Sequence, residues 1–237
     1  MKKAFFLWGV RVAALVALVS SCGVSDPGKD DEDLIRAGKT VITKGDFNRA
    51  FEIAMEAYDY KLKENWQDFQ TAMMWLLNQK IEEAVLLEHA RQLKTDISEQ
   101  ALEGEILKIR KDYPDQVFED LLLENAVSYD SWKKELRRRL LIERLMKDEL
   151  GEKIVIGPRD IAGYYRGREN EEKNQVDGSS DGEAGASAEE INRMIIRRIR
   201  REKIEEAYGP WMKGLRERHP VQINRELWDA MLDEAGR

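Results

Sequence analysis

Cysteine occurs once in this 237-residue chain, histidine twice and proline five times. A lone cysteine cannot close a disulfide within the chain, so packing has to carry the stability. His89 and His219 lie far apart without cysteine partners, and no spacing here suits zinc. Each reads as a solvated or half-buried structural histidine. There is no glycine-rich phosphate loop and no GxSxG elbow. The expectation is therefore no catalytic residue, no cofactor, no metal and no small-molecule substrate. Long apolar runs are absent too. Val12–Val19 is the apolar core of the N-terminus, far short of the roughly 20 residues that span a bilayer as a helix. Positive charge is in deficit, 39 Lys and Arg against 46 Asp and Glu, for a net charge of −7. Such a chain has little general attraction for nucleic acid. The arginines Arg193, Arg197, Arg198, Arg200 and Arg201 alternate with Ile195 and Ile199 and are flanked by glutamates, which suits a helix face paired with acidic neighbours.

What is present begins at the N-terminus. Lys2, Lys3 and Arg11 precede the apolar core, the layout of an export signal. The core ends in Val19-Ser20-Ser21-Cys22, which resembles the lipobox of bacterial lipoproteins. That resemblance implies a signal peptide over residues 1–22, lipid such as palmitate on Cys22, and a membrane anchor. An ordinary signal peptide cut near Ser21 is the alternative. Gly23 rather than Asp after the cysteine points to the outer membrane over the inner, with the body facing the periplasm. Gly23–Asp33 is polar and acidic and reads as a flexible tether. Fully extended at roughly 3.3–3.6 Å per residue, it reaches about 40 Å.

Beyond the tether, Leu34–Thr43 reads as a hairpin turning at Gly38, where φ > 0 is accessible. Helical spacing then predicts a helix from about Thr43 toward Leu62, a long one over Trp66–Lys94, and one over Glu99–Lys111 capped by Ser98. A short helix follows to Glu124, and one capped by Ser128 continues to Leu150. Ile154-Val155-Ile156 reads as extended, and Pro158 suits a helix start. Residues 167–190 read as an acidic linker. Ala188–Arg218 is a final long helix, and Pro220–Asn224 a short strand before an amphipathic tail.

Three passages carry a resemblance. AGKTVITKGDFNRAFE is similar to the opening of the SurA and PrsA class of extracytoplasmic chaperones. The block from LLNQKIEEAVLLEHARQLKTDISEQALEGEI through VSYDSWKKELRRRLLIERLM to IVIGPRDIAGYY resembles their helical core. MIIRRIRREKIEEAYGPWMKGLRERHPVQIN resembles their returning C-terminal helix and strand. The resemblance implies a mainly α fold, with a small sheet joining the N-terminal hairpin to the C-terminal strand. Residues 34–166 form the N-terminal helical chaperone domain, and 191–237 complete its core. Such chaperones usually carry a parvulin prolyl isomerase of about 90–100 residues, an ordinary domain size. Residues 167–190 are too few for one, so isomerase activity is not implied.

The function this implies is an ATP-independent chaperone, tethered to a membrane through Cys22, whose partners are unfolded or nascent exported proteins. Client binding needs exposed apolar surface rimmed by charge, with methionine suited to varied partners. The candidates are Met55, Tyr58, Trp66, Met73, Met74, Trp75, Tyr164 and Tyr165, each of which could equally be core. The rival reading is a non-catalytic adaptor or structural lipoprotein that binds one partner in an envelope complex.

Overall fold

A computed structural model describes residues 30–56, 65–114, 116–174 and 187–236. Cys22 with the signal segment, the tether up to Lys29, Tyr58 and most of the linker lie outside the described residues. The fold is mainly α, with one small antiparallel sheet among the described residues. No helix among them is long and apolar enough to cross a membrane. The chain divides into two compact units, one made of residues up to Ile81 together with those from Val221, the other of Glu82–Pro220. The division falls inside a single helix.

The first unit is built on a three-stranded sheet. β1 (Asp33–Ala37) lies between β2 (Thr40–Thr43) and β3 (Val221–Ile223). Ile35 pairs with Ile42 on one side and Ile223 on the other, so the two ends of the described chain close one sheet. Gly38 sits at φ 56 at the start of the β1–β2 turn, a conformation that costs glycine nothing. The register slips between Asp33 and Ile35, and the consecutive Leu34 and Ile35 are both buried. A bulge of this kind turns successive side chains off strict alternation.

Helix α1 (Lys44–Glu56) shows why the supposed tether is shorter than its composition suggests. The Asp46 amide donates to Thr43 Oγ1 at 3.1 Å, and the Thr43 amide donates back to Asp46 Oδ2 at 3.2 Å. This reciprocal cap leaves two further first-turn donors. The amides of Lys44 and Gly45 donate to the carbonyls of Glu32 and Asp30, each at 2.9 Å. A side chain at Gly45 would meet the Asp30 carbonyl oxygen at 3.0 Å, so only glycine allows the approach. Asp30–Asp33 therefore belong to the fold. Composition could not reveal this, because these residues contribute backbone acceptors rather than apolar surface.

Two more helices complete the unit. α2 (Trp66–Gln92) supplies Met73, Leu76 and Leu77 to its core. α8 (Arg225–Ala235) is capped by Asn224, whose side chain accepts from the Leu227 amide, and buries Leu227, Trp228 and Met231. The Asn224 amide also donates to the Leu34 carbonyl at 2.9 Å, so the sheet's hydrogen bonding runs on to the cap.

The second unit begins with the remainder of α2, which buries Ala84, Val85, Leu86 and Ala90. Ser98 caps α3 (Glu99–Lys111), as its spacing predicts, and α4 is Val117–Glu124. α5 (Tyr129–Met146), capped by Ser128, passes into a π turn over Lys147–Gly151. Leu145 and Leu150 are both buried, a five-residue spacing that a π turn can bring to one face. Leu102, Ile106, Leu136 and Ile97 form a core between α3 and α5. Arg137 donates to the Ile97 carbonyl at 2.8 Å and pairs with Glu99. Arg144 donates to the Asp96 carbonyl at 3.0 Å. Both stitch α5 to the loop before α3.

α6 is Pro158–Asn174 and α7 is Ala188–Arg218. α6 thus runs eight residues beyond the expected Arg166, and the linker expected over 167–190 shrinks at both ends. Ser187 forms a capping box with Glu190 at the start of α7. Glycine and charge in GREN mimicked a linker, but glutamate and lysine are good helix formers once a helix is under way. Ile154–Ile156 forms no strand.

Candidate client-binding surface

The first unit carries a chain of aromatic rings from its core to its surface. Trp228 meets Phe47 edge-on at 5.4 Å, and Phe47 stacks with Phe51 at 6.3 Å. Phe51 meets Phe69 edge-on at 5.1 Å, and Phe69 stacks on Trp66 at 5.6 Å. These ring arrangements are among the favoured ones and add to burial. Trp228 and Phe47 are buried, Phe51 and Phe69 half-buried, and Trp66 is 39% exposed. Trp66 also covers Gly236, where a side chain would strike its ring at 3.0 Å. Beside it lies a shallow, open depression lined by Trp66, Leu232, Asp233 and Gly236.

The sequence candidates fare differently. Met74 (47%) and Trp75 (44%) are exposed one helical turn and more beyond Phe69, while Met73 between the same turns is buried. Met73 is core because it continues the Phe69–Leu76–Leu77 stripe of α2, and neighbouring positions rotate away from it. Met55 is half-buried at the end of α1. In the second unit Tyr164 is half-buried, its ring capped by the Arg198 guanidinium at 5.4 Å, while Tyr165 is exposed. The described candidates are therefore divided between the two units. Trp66, Met74 and Trp75 share one helix of the first unit, and Tyr165 belongs to the second.

Large apolar side chains missed by the sequence reading are also exposed. Ile53 is on α1, Leu107 on α3, Leu123 on α4 and Val155 in the loop before α6. For the three helical residues the signal was available, since each lies off the apolar stripe of its element.

The polar interior of the second unit holds a feature the sequence hid. His89 Nδ1 and His219 Nε2 are 3.1 Å apart, and both rings are buried. The expectation of two unconnected, solvated or half-buried histidines is corrected on both counts. Folding brings the end of α2 against the residue that caps α7. Burial, and then the Arg218 guanidinium, lower both histidines below their ordinary value. His89 Nε2 has no hydrogen-bond partner among the described residues. Nearby, Glu88 is buried and held by Arg91 at 2.6 Å. Tyr208 donates to Glu82 at 2.9 Å, and burial followed by the Glu82 charge pushes its phenol well above the usual range. No group of three or more metal-ligating side chains occurs among the described residues.

Comparison with known proteins agrees with this architecture. No curated protein matches the chain. The family model for the SurA-like N-terminal domain matches residues 1–146, well over half the chain. That family is chaperone-related and extracytoplasmic. This chain, with its hairpin-to-helix opening and helical body, belongs to the SurA-like N-terminal domain family.

Proposed function

We propose that this protein is a membrane-tethered, ATP-independent chaperone that holds unfolded exported proteins through shallow apolar contacts. The observation that carries the reading is the exposure of Trp66, Met74 and Trp75 along one stretch of α2, backed by a packed aromatic core. A rigid base beneath exposed rings lets them engage many sequences without an ordered pocket, and methionine adapts to varied partners. Catalysis is not part of the proposal. Only residues 175–187 separate α6 from α7, too few for an isomerase domain inserted there. The unfolded client of an outer-membrane or periplasmic route is the expected partner, without nucleic acid or a small-molecule substrate.

The test is suppression of aggregation. The full chain at several-fold molar excess is expected to delay light scattering by an unfolded envelope protein. Replacing Trp66, Met74 and Trp75 together by Ala is expected to weaken that protection about tenfold or more while leaving helicity unchanged, since each truncated ring or thioether removes on the order of 1 kcal/mol of contact. Equal protection by the triple variant sinks the assignment of these residues.

Tethering is the second half of the proposal. A diacylglyceryl group on Cys22 holds firmly where one acyl chain would not. It raises the local concentration of the chaperone beside the membrane that clients cross or enter. Cys22→Ala is expected to shift the protein from the membrane to the soluble envelope fraction and to abolish incorporation of labelled palmitate. A variant that still fractionates with membranes and still carries label would exclude Cys22 as the anchor.

A further inference from the structure

His89 and His219 are separated by almost the whole of the second unit in sequence, yet they meet as a buried pair. A distance of 3.1 Å between ring nitrogens admits one hydrogen between them, so one ring donates and the other accepts. Placing that hydrogen on His89 Nδ1 leaves only an acceptor lone pair at the unpartnered His89 Nε2, the milder of the two arrangements. Doubly protonated rings would set two N–H donors and two charges against each other, and no hydrogen bond could form.

We propose that this pair is an acid-operated latch: neutral, it holds the C-terminal end of α7 against the end of α2, and once both rings are charged it cannot close. The surroundings favour opening over accommodation of the charge. Arg218 of α7 and Lys153, just after the π turn, face the pair as cations. Glu149 of the π turn acts in the opposite sense on His89, and Glu88 of α2 does so on His219. Glu88 is already engaged by two hydrogen bonds from Arg91, which blunts its help.

The direction of the pH effect follows from proton counting. Both rings bind protons less readily in the folded chain than in the unfolded one. The unfolded state therefore takes up protons first, and stability from the pair is complete above about pH 6.5 and lost as pH falls below it. Tyr208 and Arg216 of α7 also bond to Glu82 of α2, and Arg216 lies one turn before His219. Opening is thus confined to the last turn of α7, beyond Arg216.

Hydrogen exchange on the full chain tests this, independently of any client. Exchange at amides of Glu217–His219, corrected for intrinsic rates, is expected to quicken about tenfold or more between about pH 7.5 and pH 5, spanning the ordinary histidine value. With His89→Gln and His219→Gln together, a neutral amide pair replaces the rings and the same amides should stay protected at both pH values. Unchanged exchange in the unaltered chain, or equal loss in the double variant, overturns the latch. Should the double variant not fold, the ring signals of the unaltered chain decide by NMR. Both histidines titrating below the ordinary histidine value, together with the loss of protection, support it; titration at the ordinary value of about 6.5 overturns it.

Discussion

Phe47→Ala is expected to destabilise the first unit by about 3–5 kcal/mol, the usual cost of emptying a fully buried phenylalanine site. Phe47 has no exposed surface, and it touches both Trp228 of α8 and Phe51 on its own helix. Removing it opens a cavity between α1 and α8 and breaks the run of rings toward Trp66. Neither helix can close the gap cheaply. α1 is fixed at its start by the Thr43–Asp46 cap and the Asp30 and Glu32 carbonyls, and α8 by Asn224. Hydrogen exchange in β1 and β2 should accelerate a hundredfold or more, about what 3 kcal/mol implies. The amides of α3 and α5, which belong to the other unit, should change little. An effect under about 1 kcal/mol would mean that Phe47 does not occupy a packed core.

Truncation after Pro220 should do still more. It removes β3, the partner of Ile35, Arg36 and Ala37, and with it the buried Leu227, Trp228 and Met231 of α8. What remains of the sheet is a two-stranded hairpin, marginal in water without further packing. Burying each large side chain contributes roughly 1.5–3 kcal/mol, so losing three of them exceeds what a small unit can spare. The expected result is protease-sensitive β1, β2 and α1, with the helices of the second unit still resistant. A truncated chain whose hairpin stays protected would show that the first unit does not depend on its C-terminal pieces.

Most of the element pattern was legible because its causes are local. Ser98 and Ser128 announce helix starts by satisfying amides three residues on, and both do so. Gly38 marks its turn by the conformation it alone tolerates cheaply. The strand at Val221 could be matched to the hairpin through resemblance to the SurA-like pattern, and the sheet has that pairing. Where local signals misled, a distant partner was the reason. Asp30–Asp33 look like tether until α1 needs acceptors for its first amides.

The candidate surface was legible only as a set of residue types. Aromatic and methionine positions stand out in any sequence, but Met73 and Met74 differ by one residue and face opposite fates, core and solvent. A hundred-degree rotation per residue decides between them, and which side of α2 is covered depends on what packs there.

By itself, then, the sequence determined the mainly helical class, the helix starts and turn, and the absence of a disulfide within the chain. These follow from interactions within a few residues, or from composition. Only the tertiary structure decided which of Trp66, Met73, Met74 and Trp75 meet solvent, that the chain's described ends share one sheet, and that His89 finds His219. Those outcomes depend on elements remote in sequence, whose burial energy is realised only when they pack together.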